Sequence, residues 1–194
     1  MNLGYVLSDK SKSGARKNVT FPATLMYYIS CLPEGVLDNA RRKPYELDDD
    51  KFFWPWVGLY NSHLFHAYWL MMGDAFDLAR QEYGSVCTSE GWQDEAVRLE
   101  MEKLARQLVH PGILAACESS HTGKGGVQFP NVNFHKEDSP GPAIIEKLDR
   151  ILISAYGLQE APLLAQMRTI RTGSAHMLVS QTAGQPHSKK RGIQ

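Results

Sequence analysis

Three stretches of this 194-residue chain carry apolar side chains at the spacing of a helical face. In the first, Phe65, Tyr68, Trp69 and Met72 recur at three- and four-residue steps. That spacing predicts a helix over about 57–80, introduced by Trp54-Pro55-Trp56, with Gly73 placed to interrupt or end it. In the second, Val97, Met101, Leu104 and Leu108 form the buried stripe of a helix over 93–109. His110-Pro111-Gly112 stops it, because proline cannot continue the hydrogen-bond ladder. The third opens at Ser139-Pro140-Gly141-Pro142 and lines one side with Ile144, Ile145, Leu148, Ile151, Leu152 and Ala155. Gly157 suits its left-handed cap. A short helix is expected over 161–169.

The segments between read differently. Residues 19–32 are rich in Tyr, Phe, Thr and Ile, which favours one or two strands with Pro22 at an edge or a strand start. Residues 33–50 read as a turn-rich connector, 119–126 as a flexible loop and 127–134 as a strand. The chain is long enough for one sizeable core and too short for two. The expected fold is α+β, a single compact domain of several helices with a small, mainly antiparallel sheet. It would span 19–172, between a flexible basic segment (1–18) and a basic tail (173–194).

Composition narrows the function classes. At 43% hydrophobic and 22% charged residues the chain falls among folded, soluble proteins rather than disordered ones. Its longest apolar run, 67–72, is far below membrane-spanning length, and 1–7 lacks the apolar core of a secretory signal. Cys31, Cys87 and Cys117 are widely spaced with no Cys-x-x-Cys, which argues against a disulfide framework or a zinc ribbon. A cytoplasmic location without a membrane partner is the expectation. The net charge of zero, 21 basic against 21 acidic side chains, counts mildly against nucleic-acid binding, because phosphate contacts call for a positive excess. Distribution softens that objection. Lys10, Lys12, Arg16, Lys17, Arg41, Arg42 and Lys43 face only Asp9, Glu34 and Asp38 within 1–43. Mixed sign still permits one basic face.

Several constellations invite chemistry. His63 and His66 stand three apart on a helix, but a zinc site needs at least three protein ligands, and no Cys or third His stands at a matching offset. Surface or half-buried histidines are the expectation, with no metal and no cofactor. His121-Thr122-Gly123-Lys124-Gly125-Gly126 departs from the Walker pattern, since Lys124 is followed by glycine and the next element reads as a strand. It suits a plain solvated loop as well as one that touches DNA phosphates or enters a groove. Glu100, Glu102 and Lys103 lie along one helix, and 48–51 lie in a connector, so both groups read as solvated charge rather than a nuclease centre. Tyr27, Tyr28, Phe52, Phe53, Trp54 and Trp56 are capable of stacking on bases, although core packing accounts for most of them. Spacing supports no Ser-His-Asp or Cys-His arrangement.

One resemblance reaches further. Asn61-Ser62-x-Leu64-Phe65-x-x-Tyr68-Trp69, followed by Gly73-Asp74-x-Phe76-x-Leu78, resembles the target-recognition region of type IIG-like adenine methyltransferases and of their relatives in BREX phage-defence systems. Tyr60 stands where that family has leucine, His63 at its second serine, Ala75 at its glycine and Asp77 at a polar or histidine position. A second segment is similar in the same order and separation: Phe134-His135, then Ser139 to Leu152, closing in Ala155-Tyr156-Gly157-Leu158. The matched stretches cover about a third of the chain and imply that roughly residues 20–170 are related. The family's S-adenosylmethionine loop and its Asn/Asp-Pro-Pro-Tyr/Phe motif are absent from this sequence. The family's matching residues shape a fold, so no base contact is carried over.

The resemblance implies a stand-alone DNA target-recognition, or specificity, subunit. It would read double-stranded DNA for a separate methyltransferase or restriction and phage-defence subunit, without being an enzyme itself. Lys10, Lys12, Arg16, Lys17, Arg41, Arg42, Lys43 and Lys124 would then touch phosphates, and Asn131 and Asn133 would read base edges. The other reading is an interaction or inhibitor protein that uses the same fold to regulate such an enzyme without reading DNA, which the balanced charge favours slightly. An independent nuclease or nucleotide-using enzyme has no motif behind it.

Overall fold

Helix α1 (Phe53–Tyr60) is apolar on every side, and a helix of that kind belongs inside a protein. In the computed structural model, which describes residues 17–22, 28–37, 41–47, 51–72, 86–122 and 124–159, seven of its eight residues are buried. Pro55 costs it nothing, because first-turn amides have no partner within the helix. Around it pack α2 (His63–Met72), α3 (Glu95–Leu108) and α5 (Gly141–Ala155), while the short α4 (Pro111–Ala116) follows α3. A three-stranded antiparallel sheet runs in the order β2 (Leu32–Pro33), β1 (Lys17–Pro22), β3 (Arg42–Leu47). A separate antiparallel ribbon pairs β4 (Glu118–Thr122) with β5 (Gln128–Val132). The described residues thus form an α+β domain of five α-helices and two small antiparallel sheets.

Two apolar clusters hold these layers. One joins Val19 and Phe21 of β1 to Trp56, Tyr60, Phe65, Trp69, Trp92 and Met101. Its rings interlock, with Trp56 stacked on Tyr60 at 5.5 Å and Phe21 edge-on to Tyr60 at 5.3 Å. The other joins Leu104 and Leu108 of α3 to Ile144, Ile145 and Leu148 of α5, with Cys117, Val132 and Phe134 at the base of the ribbon.

Sequence and structure agree on α3, on β5 and on α5. Gly157 takes φ +65°, with its amide on Ser154 O and the Leu158 amide on Ile153 O, the paired bonds of a left-handed helix cap. They differ in five places. The helix expected over 57–80 is two helices, broken at Asn61-Ser62. Asn61 accepts from the Cys31 amide and donates to Cys31 O and Val57 O, each at 2.8 Å, while Ser62 Oγ accepts from the Phe65 amide at 3.1 Å. These side chains compete with the helix ladder and win. The connector expected over 33–50 contains β3, and the loop expected over 119–126 contains most of β4. His110-Pro111 stops α3 as expected but also starts α4, with Pro111 at its first turn and His110 Nδ1 accepting from the Gly112 amide. β1 begins at Lys17, slightly before the expected domain boundary. The parts of the expected elements at 1–16, 73–80, 161–169 and 173–194 lie outside the described residues.

Candidate nucleic-acid interface

The β4–β5 ribbon is buried at its base and exposed toward its tip. Cys117 and Val132 are buried, and the Asn133 amide donates to Cys117 O at 2.8 Å, closing the base. At the tip, Gly125 and Gly126 take φ of +75° and +78°, a conformation that suits glycine. Strand alternation divides the rest into two faces. Ser119, Phe129 and Asn131 are half-buried and turn toward the domain. Ser120, Thr122, Gln128 and Pro130 are exposed. On that outer face Gln128 Nε2 donates to Thr122 Oγ1 at 2.8 Å, across a directly opposed pair.

The inner face is fastened by Arg42, which is 8% exposed. Its Nε donates to Thr20 Oγ1 (2.9 Å), and Nη1 donates to Ser30 Oγ (3.1 Å) and Asn131 Oδ1 (3.3 Å). Nη2 donates to the carbonyls of Thr20 (2.7 Å) and Ser30 (2.5 Å). All five guanidinium N–H groups are therefore committed to neutral acceptors. Asn131 Nδ2 continues the network to Tyr28 Oη (3.3 Å), which also bonds Ser119 Oγ (3.1 Å). Burial pulls the Arg42 guanidinium down to about 10, and it pushes the neighbouring Cys31 thiol up. One network thus ties β1, β3, the 28–31 segment and the ribbon together. Beside it, the Arg41 guanidinium lies 4.8 Å from the centre of the Phe129 ring, a cation–π contact on the ribbon itself.

The expected DNA-contact residues do not gather at one place. Lys10, Lys12 and Arg16 lie outside the described residues, as does the side chain of Lys124, whose backbone forms the ribbon tip. Arg41 stands against the ribbon, and Lys43 is exposed on β3. Lys17 is exposed at the opposite end of the sheet, paired with Leu47, and reaches over the Phe53 ring. Arg42 is corrected from a phosphate contact to an internal fastener, because its guanidinium is buried and fully bonded. Asn131 is likewise bound inward, and Asn133 Oδ1 accepts from the His135 amide at 2.9 Å in a local turn. Of the outward residues, Thr122 belongs to the loop that the sequence offers for phosphate contact, whereas Ser120 and Gln128, one in an expected loop and one in an expected strand, carry no signal in the sequence that marks them as a site.

A second cluster lies where α2, α5 and the turn after β5 meet. His63 and His66, expected at the surface or half-buried, are buried, and His135 joins them. Asp149 Oδ1 accepts from the amides of His63 (3.0 Å) and Leu64 (3.3 Å), so α5 supplies the cap for the start of α2. Its Oδ2 lies 2.7 Å from His63 Nδ1, and His63 Nε2 lies 3.1 Å from His135 Nδ1. Burial raises the Asp149 carboxyl, while the His63 ring and the two amides act to lower it. Burial, and then His63, pulls His66 down to about 4. Among the described residues no group of three or more His, Cys, Asp or Glu side chains is arranged to hold a metal ion. A signal for this cluster was available in the sequence: Asp149 occupies the apolar face set by Ile145, Leu148 and Leu152. An acid on such a stripe needs a partner.

Comparison with protein-family models, with curated proteins and with solved structures finds no match to this chain.

Proposed function

We propose that this chain is a DNA target-recognition protein that reads short duplex sites for a separately encoded methyltransferase or restriction and phage-defence subunit. The observation that carries this reading is the fastened β4–β5 ribbon. Its outer face is polar, the backbone of Lys124, Gly125 and Gly126 turns at its tip, and Arg41 flanks it. A two-stranded ribbon fits the major groove of B-DNA, which is about 12 Å wide. Arg41, Lys43 and Lys124 supply phosphate contacts that set its register, and the polar outer face is left to meet base edges. The similarity of Asn61 to Trp69 and of Ser139 to Leu158 to adenine-methyltransferase recognition regions supports the same reading.

The second reading, a regulator that occupies a partner's recognition slot without touching DNA, is favoured by the zero net charge. A salt titration separates the two. A DNA reader loses duplex affinity on a log–log salt plot with a slope of about −0.9 per phosphate contacted. A regulator binds a methyltransferase whether or not DNA is present, and shows no such slope.

A further inference from the structure

We infer that Gln128 is a base-reading residue of the ribbon and that it reads the major-groove edge of adenine in an A·T pair. The inference rests on the proposed DNA-reading role and names the chemistry of the site. A carboxamide offers two N–H donors and one carbonyl acceptor. In Gln128 one donor is committed to Thr122 Oγ1 at 2.8 Å, which leaves one N–H and the Oε1 carbonyl. That remaining donor–acceptor pair matches adenine, whose N7 accepts and whose N6 amino group donates. Guanine presents two acceptors, N7 and O6, and cytosine presents a donor, so neither satisfies both groups.

Position favours Gln128 over its neighbours. Residues 122 and 128 are exposed, directly opposed, and the last pair before the tip, where a ribbon inserted into a groove reaches deepest. Pro130 on the same face has no N–H to offer, and the Ser120 hydroxyl donates and accepts without preference. The inner face adds rigidity. Arg42 holds Asn131, Tyr28 holds Ser119, and Arg41 lies over Phe129, so the strand carrying Gln128 is fixed before any ligand arrives. Fixing the reader beforehand lowers the ordering cost of binding. Thr122 is then a positioning residue, since it orients the amide without meeting the base.

Selection of sites from a randomised duplex pool by the full chain tests this, alongside Gln128→Ala, Gln128→Glu and Thr122→Val. Far-UV circular dichroism and thermal midpoints verify that the variants fold. The wild type should require an A·T pair at one position. Gln128→Ala should lose about tenfold to a hundredfold of discrimination at that position alone. The acceptor-only Gln128→Glu should turn the position toward C·G, and Thr122→Val should blur it, with the salt slope unchanged in all three. A wild type that selects a site which every Gln128 variant also selects, unaltered, overturns the inference and leaves DNA reading intact. So does a guanine requirement lost in Gln128→Ala, which would mean the amide presents two donors. A folded wild type with no duplex affinity at low salt overturns both readings together.

Discussion

Arg42 shows how far a single residue's surroundings outweigh its type. Three consecutive basic residues, Arg41, Arg42 and Lys43, look equivalent in sequence, yet strand alternation sends the middle one inward, where Thr20, Ser30 and Asn131 absorb its charge. Removing it strands buried acceptors, so Arg42→Ala should lower stability by on the order of 3 kcal/mol, read as a shift in urea midpoint. Arg42→Lys should recover little of this, because an ammonium cannot reproduce the planar five-donor fork. A wild-type midpoint in both variants would refute the fastening role. His66 makes a second prediction. Its folded value of about 4 lies below the ordinary 6.5, so between those values the unfolded chain holds a proton that the folded one refuses. Stability should therefore fall as pH drops through that window, by at most about 3 kcal/mol from this group. Asp149, raised by burial, works in the opposite sense, because its folded carboxyl takes up a proton more readily than the unfolded one. Urea midpoints across pH 4 to 7 in wild type and His66→Gln isolate the histidine's share, and identical profiles would contradict the assignment.

At the scale of elements, what could be read from the sequence was what apolar periodicity encodes. The Val97–Leu108 stripe gave α3, the Ile144–Ala155 stripe gave α5, and Gly157 marked where α5 ends. Strands β3 and β4 were hidden, because Arg-Lys-Pro-Tyr-Glu-Leu and Glu-Ser-Ser-His-Thr carry no alternating apolar face. They are strands because partners in β1 and β5 complete their backbone bonds, a property of tertiary structure. The break between α1 and α2 was written in Asn61-Ser62, yet the apolar rhythm on both sides masked it. It also explains those two residues of the resemblance in structural terms: Asn61 binds the Cys31 backbone and Ser62 caps the next turn. The start of α2 depends further on Asp149 across the domain. Asp149→Ala removes the acceptor for two amides and the partner of a ring nitrogen and should cost about 2–4 kcal/mol. Hydrogen exchange should show the loss first at the opening turn of α2. Uniform protection in that variant would rule out the capping account.

Over the whole molecule, the core helices and the ribbon divide the labour. The buried aromatic cluster and the Asp149–His63–His135 chain settle where α2, α5 and the turn after β5 lie, while the ribbon extends an outer face that the core does not need. No helix among the described residues is long and apolar enough to cross a membrane. The zero net charge makes location of charge decisive, so the basic side chains nearest the ribbon should matter most. Replacing Lys43, exposed on β3, with Ala should reduce the salt slope by about 1 while leaving the urea midpoint in place. An unchanged slope would move the interface elsewhere on the surface. The most direct measurement is duplex-DNA affinity of the full chain, at about 50 and about 200 mM salt, beside a variant whose residues 123–127, between the last ladder pair, are replaced by Asn-Gly. The wild type should bind at low salt and weaken steeply at high salt, and the shortened ribbon should bind more weakly at both while unfolding at the same midpoint. Equal affinity in the folded tip variant would contradict a ribbon that reads DNA.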